Sequence, residues 1–322
     1  MTEAFFFASL NLENGIPFRC LAMLARIQQL IVVVIVVTVL GGAAIAFNLD
    51  QPAWGIVMPL LIAGGYAAAL GLEFIWLRAS YLKESTDRPT IGQLLSAWCQ
   101  EFLVAPRVFL WRQPFRSSAI ADSVHADARG RRGVVLIHGF FCNRGLWNPW
   151  MQRLEEEGVP FIALNLEPAF GSIGRYLDTI EAAVARLEHA TGMAPVLVGH
   201  SMGGLAIRAW RAREAQDAAR FHRAITIGTP HRGTWMARHA RARNGMEMQL
   251  ESPWLEALGR AEANGAHDRF TCFWGHCDNI VFPTRGATLP GADNRHVPGT
   301  PHVAMAFHPD VFAYVLQALQ AR

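Results

Sequence analysis

Between Ile27 and Leu77 the chain has no lysine or arginine and only two acidic residues, Asp50 and Glu73. The run from Ile27 through its Val/Ile-rich centre to Phe47 is long enough to cross a hydrocarbon layer of about 30 Å as a helix rising roughly 1.5 Å per residue. Its β-branched content would suit a strand in water. In lipid an unpaired strand edge leaves backbone groups unsatisfied, so a helix is expected. A second span runs from about Trp54 to Leu77, separated from the first by Asn48, Leu49, Asp50, Gln51 and Pro52. Gly64, Gly65, Ala68 and Gly71 offer small surfaces for the first helix, and Trp54 and Trp76 occupy positions suited to a membrane interface. The expectation is a two-helix transmembrane hairpin over residues 27–77, after an N-terminal cytoplasmic segment, 1–26. A buried core hairpin and a cleaved signal peptide ending near Ala44-Ile45-Ala46 are the other readings. The length of the first span and the immediate arrival of a second weigh against both.

Arg19 and Arg26 precede the first span, Arg78, Lys83 and Arg88 follow the second, and the turn between them holds only Asp50. The positive-inside rule therefore predicts a multi-pass protein of the inner (cytoplasmic) membrane with its C-terminal domain in the cytoplasm. Residues 78–132 read as a juxtamembrane segment and linker. Ile91, Leu94, Leu95, Trp98, Phe102 and Leu103 recur at helical spacing, so this stretch either lies along the membrane or packs on the following domain. Ser117–Arg132 is polar and charged, as expected of a linker. The hairpin accounts for a composition of 52% hydrophobic and 17% charged residues, and the chain from about Gly133 reads as an ordinary globular domain. A formal charge of +3, with scattered arginines, argues against a nucleic-acid partner. The five cysteines (Cys20, Cys99, Cys142, Cys272, Cys277) are odd in number and lack C-x-x-C spacing, so neither a disulfide framework nor a structural zinc site is expected. No metal or other cofactor is expected.

From Gly133 short apolar runs alternate with helical patterns. Strands are expected at Gly133–Ile137, Pro160–Asn165, Pro195–Val198, Arg223–Ile227 and Phe270–Trp274. Helices are expected near 145–157 and 173–190, from Met202, and from Val311. Strands apolar on both faces and alternating with helices imply a parallel sheet covered on both sides, an α/β fold.

Between the third strand and its helix stands Gly199-His200-Ser201-Met202-Gly203, a G-x-S-x-G pattern in strand–turn–helix context. Such a turn lifts a serine hydroxyl clear of the backbone and sets helix N–H groups beside developing negative charge. Ser201 is the candidate nucleophile, with Gly199, His200 and Gly203 forming the elbow. The N–H groups of Met202 and of Phe140, in His138-Gly139-Phe140, are the candidate oxyanion donors. His138 precedes the serine and reads as shaping its loop. The base is expected after Ser201, beyond the last strand. His302 fits best, with His296 and His308 as rivals. Asp278 follows the strand Phe270–Trp274 and can orient a histidine; Asp268 precedes that strand and Asp293 sits in a polar turn.

Over Gly133 to the C-terminus these motifs resemble the α/β-hydrolase lipases and esterases, in particular the bacterial triacylglycerol-lipase-like group. The resemblance implies an α/β-hydrolase fold, the order Ser201, Asp278, His302, and a structural loop near the pocket at Gly228-Thr229-Pro230-His231-Arg232-Gly233-Thr234. Calcium-binding members carry a carboxylate just after the histidine; Ala304 stands there, so no calcium site is expected. The expected activity is hydrolysis of hydrophobic or lipid carboxylic esters. A thioesterase or acyltransferase with the same residues, or an inactive membrane scaffold, are the alternatives. Residues 235–266 sit where a lid would, or form ordinary surface helices. The sequence does not specify an oligomeric state.

Overall fold

The computed structural model describes residues 23–51, 53–81, 88–124, 128–214, 218–262 and 267–321. Most of the expected N-terminal segment, with Arg19 and Cys20, the flanking Lys83 and the end of the possible lid at 263–266 lie outside the described residues. Two long helices come first, α1 (Met23–Asn48) and α2 (Ala53–Ser80). Their 26 and 28 residues reach about 39 and 42 Å, and both are apolar enough to cross a membrane. They are anchored mainly at their roots. Leu24, Ala25 and Gln28 of α1 are buried, as are Leu70, Phe74 and Leu77 of α2. Beyond them Leu30, Val33, Val37, Leu40 and Phe47 of α1 and Trp54, Ile56, Leu60 and Leu61 of α2 stand exposed, while Ala46 is buried near the tip.

The small residues of α2 serve a different partner from the one expected. A Cβ on Gly64 or Gly65 would meet nothing within 4 Å, whereas Gly71 faces Trp98 Nε1 at 3.8 Å. Trp98 belongs to α3 (Ile91–Pro106), and its indole N–H donates to the Ala67 carbonyl at 3.1 Å. The hairpin helices meet closely nearer the tip, where a Cβ on Gly42 would press on Met58 Cγ at 2.9 Å. Trp76 also packs on the following domain, its ring meeting Trp235 at 5.5 Å.

Helix α3 starts in a capping box between Thr90 and Gln93. It turns Leu94, Ala97 and Glu101 inward, at positions i, i+3 and i+7, and leaves Ile91, Leu95 and Leu103 exposed. Of the two placements open to it from the sequence, it takes the packed one. A π-helical turn, Arg107–Arg112, leads to α4 (Gln113–Arg116). There Gln28 of α1 donates to Gln113 Oε1 at 2.8 Å and Gln29 to the Pro114 carbonyl at 2.6 Å.

The C-terminal half alternates as expected: β1 (Val134–Ile137), α5 (Asn148–Glu156), β2 (Phe161–Ala163), α6 (Leu177–Thr191), β3 (Val196–His200), α7 (Met202–Glu214) and β4 (Arg223–Ile227). Next come α8 (Arg243–Glu247), α9 (Pro253–Ala261), β5 (Phe270–Trp274), β6 (Asp293–His296), α10 (His302–Met305) and α11 (Pro309–Gln320). The strands form one parallel sheet in the order β2-β1-β3-β4-β5-β6. Alternate residues of each strand point to opposite faces. Val135, Ile137 and Leu197 pack on α6 and α7, while Val134, Leu136, Val196 and Val198 pack on α5 and α11. This is the α/β-hydrolase fold. Strand β6 went unforeseen because its four residues are polar and exposed, as befits an edge; it includes Asp293, expected in a turn.

The expected linker is fastened to the opposite edge. Ser123 pairs antiparallel with Phe161 of β2. The buried Arg144 guanidinium donates to the carbonyls of Ala163 and Ile120, at 3.0 and 2.6 Å, and to Asp122 Oδ1 at 2.7 Å. A polar stretch can pack in this way because one buried cation collects its carbonyls and carboxylate. Arg144→Ala leaves them unpaired, and unfolding of the full chain in detergent should show a loss of about 2–3 kcal/mol.

Candidate active site

Chain order reverses between β1 and β3: β2 lies to one side of β1 and β3 to the other. The carboxyl ends of strands at such a switch point leave a crevice for ligands. Ser201 follows β3 there with φ 54°, a left-handed conformation that costs a non-glycine residue energy and persists only when its surroundings enforce it. Its N–H donates to the Ile227 carbonyl at 2.8 Å, and its own carbonyl accepts from Thr229 Oγ1 at 2.9 Å. The elbow glycines are steric necessities. A Cβ on Gly203 would collide with the Ile137 carbonyl oxygen, and one on Gly199 would lie 2.6 Å from the Gly204 nitrogen.

The strand β1 leads into His138 and Gly139, where a Cβ on Gly139 would lie 2.8 Å from Ser201 Cβ. This close approach brings Phe140 to the cavity that Ser201 also lines. His138 shapes that loop. Its Nδ1 is 2.9 Å from the Gly139 carbonyl and its Nε2 accepts from the Leu166 N–H at 3.0 Å. Burial holds its pKa down at about 4, so the ring is a neutral strut.

His302 opens α10 and is 5% exposed. Its Nδ1 donates to Asp278 Oδ2 at 3.0 Å, while Asp278 Oδ1 accepts the Ile280 and Val281 N–H groups at 2.9 and 2.8 Å. That fixes the imidazole tautomer and leaves Nε2 free to act. Burial opposes the charged ring, but the Asp278 charge and hydrogen bond, with Glu101 and Glu73 behind them, raise the His302 pKa above 6.5. His200 donates from Nε2 to the His302 carbonyl at 3.1 Å, and burial with the His302 charge takes its own pKa down to about 3.

The rival residues lie elsewhere. His296 is exposed on β6, stacked on Trp274 with centroids 4.4 Å apart. His308 caps α11, accepting from the Asp310 N–H. In the loop after β4, Gly228 has φ +53°, and a Cβ there would lie 3.0 Å from Asp278 Oδ2 and 3.1 Å from His302 Nδ1. His231 is buried against Thr226 Oγ1 at 3.0 Å, a structural position.

Ser201 and His302 share a cavity of about 420 Å³ with mostly apolar walls. One wall, carrying Met236, Ala237 and Met248, comes from the segment read as a possible lid. The other comes from the N-terminal helices: Tyr66, Leu70 and Glu73 of α2, Glu101 and Ala105 of α3, and Phe109. Three polar side chains here were not singled out from the sequence: Glu73, Glu101 and Asn279. A signal was present for two of them. Glu73 is the lone acidic residue of the second apolar span, and Glu101 falls on the apolar stripe of α3, both unusual places for a carboxylate.

Residues 134–272 match the alpha/beta hydrolase family model. No curated protein matches the sequence. Among solved structures, the mature lipase BlEst2 of Bacillus licheniformis is similar with a TM-score of 0.53 and 16% identity, over 62% of this chain and 96% of that one. Lipase B of Aspergillus fumigatus is similar with a TM-score of 0.53 and 16% identity, over 63% of this chain and 55% of that one. At such identities the likeness is one of fold.

The Asp278–His302 contact can be tested by titration. With histidine labelled for NMR, His302 should titrate above 6.5, and Asp278→Asn should bring it below that value, since the anion favouring the imidazolium is gone. The sign for stability follows: the pair's contribution is present at low pH and is lost as pH rises through the raised pKa.

Proposed function

We propose that this α/β-hydrolase is a membrane-anchored serine hydrolase that cleaves carboxylic esters of hydrophobic or lipid character through an acyl-enzyme. The observation that carries the reading is the Asp278–His302 pair opening on the same apolar cavity as Ser201 at its strained elbow. In this mechanism Ser201 Oγ attacks the ester carbonyl carbon as His302 Nε2 takes the hydroxyl proton, and Asp278 stabilises the resulting imidazolium. The carbonyl oxygen becomes an oxyanion and accepts from the Phe140 and Met202 N–H groups, Met202 being the first residue of α7. Collapse expels the alcohol, which receives the proton from His302. Water then repeats the cycle on the acyl-serine and releases the acid.

The apolar cavity and its helical walls support an acyl-chain substrate. The hairpin supports anchoring. Tyr66 stands 13 residues after Ala53, the start of α2, or about 20 Å along the helix. With the tip inserted through a hydrocarbon layer of about 30 Å, the α2 wall of the cavity lies at membrane depth, where acyl esters reside. Arg26, Arg78 and Arg88 at the docked end favour a catalytic domain in the cytoplasm, on the inner membrane.

A fluorophosphonate probe should label the full chain, and Ser201→Ala should abolish both labelling and ester turnover, lowering kcat by about 10⁴-fold or more. Among p-nitrophenyl esters the wild type should prefer long acyl chains; a preference for acetate contradicts the lipid reading. Reporter fusions at the C-terminus should be active in the cytoplasmic form alone, and periplasmic activity overturns the orientation.

A further inference from the structure

The loop carrying His302 presents three successive backbone N–H groups, and side chains take all three. His302 N–H donates to Asn279 Oδ1 at 3.1 Å. The Val303 and Ala304 N–H groups donate to the two oxygens of Glu101, at 2.8 and 3.1 Å. Asn279 is itself held from the other side, its Nδ2 donating to Glu73 Oε2 at 2.6 Å. Glu101 of α3 therefore holds the main chain beside the histidine directly, and Glu73 of α2 holds it through Asn279.

We propose that Glu101, seconded by Glu73, is a positioning residue for His302: through its two bonds to the Val303 and Ala304 N–H groups, and through Asn279, the N-terminal helices hold the base in register with Ser201. This inference rests on the roles of Ser201 and His302 argued above.

The chemistry at Glu101 supports it. A short helix such as α10 leaves its first N–H groups without intrahelical partners. A carboxylate is the side chain that satisfies two at once and also places negative charge where the helix end and imidazole favour it. Glu101 is only 2% exposed. Burial pushes its carboxyl up to about 7, against the two N–H bonds and the His302 charge. A buried acid of this kind is costly unless its charge answers another, and the charge that appears during the reaction is on His302. The groups facing His302 are Asp278 from the loop after β5, Glu101 from α3, Glu73 from α2, and the neutral His200 at the end of β3. A purely structural peg would need the hydrogen bonds of Glu101 but not its charge.

The test uses the full chain in lipid nanodiscs, reading kcat and KM for a long-chain p-nitrophenyl ester, and the rate of fluorophosphonate labelling, across pH. Glu101→Gln keeps the volume and one acceptor but removes the charge. It should lower kcat by about tenfold with KM changed less than about twofold. Its acid limb should move down by roughly half a pH unit, because the imidazolium loses a stabilising anion. Glu73→Gln can still accept from Asn279, and should move the limb in the same direction by less; it carries the test if E101Q does not fold. Acid limbs that coincide with wild type in every folded variant overturn the inference while leaving the hydrolase reading intact. A wild type that neither labels nor turns over ester overturns both.

Discussion

The left-handed conformation of Ser201 is the constraint on which the rest of the site depends. A side chain at φ 54° is held there because β3 ends and α7 begins with no residue to spare, and the Ile227 carbonyl, accepting the Ser201 N–H, and the Thr229 hydroxyl, donating to the Ser201 carbonyl, clamp the serine from both sides. The same tightness excludes a Cβ at Gly199 and Gly203 and draws Gly139 onto the serine. It therefore fixes where the β1 loop and Phe140 must run. Parallel strand order does the remainder, because β1, β3, β4 and β5 all discharge their loops at one end of the sheet. Ser201, Asp278 and the candidate oxyanion segment meet there without any one loop having to be long.

Against that scaffold, the roots of the N-terminal helices are part of the domain's packing. Leu70, Phe74, Leu77 and Tyr81 from α2 and its end, and Leu94 and Ala97 from α3, form one core cluster with Cys277 and Phe282 of the C-terminal half. Cys277 and Phe282 flank Asp278 and Asn279 in sequence, so the packing of the apolar hairpin root and the placement of the acid loop are a single event. The Tyr81 hydroxyl adds a polar tie, 2.9 Å from the His276 carbonyl and 2.8 Å from Thr284 Oγ1. The two halves that composition separates so clearly are joined beside the candidate acid, Asp278.

This explains which parts of the protein were legible in the sequence. The strands β1, β3, β4 and β5 were readable because each is a short apolar run buried on both faces, and Ser201 because its turn demands glycine at fixed offsets. The contact between the candidates His302 and Asp278 was reachable through chain order, since they follow β6 and β5, whose ends face the same side of the sheet as the serine. The failures have a common physical origin: contacts between segments far apart in the chain. Strand β6 forms because β5 offers it an edge, since its own residues carry no apolar pattern. The Ser117–Arg132 stretch looked like a linker because the partners of its Ile120 carbonyl, Asp122 carboxylate and Ser123 main chain are Arg144 and β2, which no local pattern can reveal. Gly71 looked like a surface for α1 but accommodates Trp98, because α3 occupies the space along that part of α2.

The location of Glu101 carries this reasoning furthest. A carboxylate on the inward stripe of α3 opposes the hydrophobic driving force that folds the helix, and burial of an uncompensated charge there would undo much of what Leu94 and Ala97 contribute. The conflict is resolved only when α3 is docked, because then Val303 and Ala304 supply two N–H groups that would otherwise be buried without acceptors. Each side of the contact is therefore incomplete alone: the helix has an acid with no partner, and the histidine turn has donors with no acceptor. Mutual need of this kind makes docking specific in a way that apolar packing between Leu94 and its neighbours cannot, since a greasy face slides over another at little cost whereas a bidentate carboxylate fits one register. The register it selects is the one that sets His302 beside Asp278 and the cavity that Ser201 lines, so these two hydrogen bonds tie the docking of α3 to the placement of the candidate base.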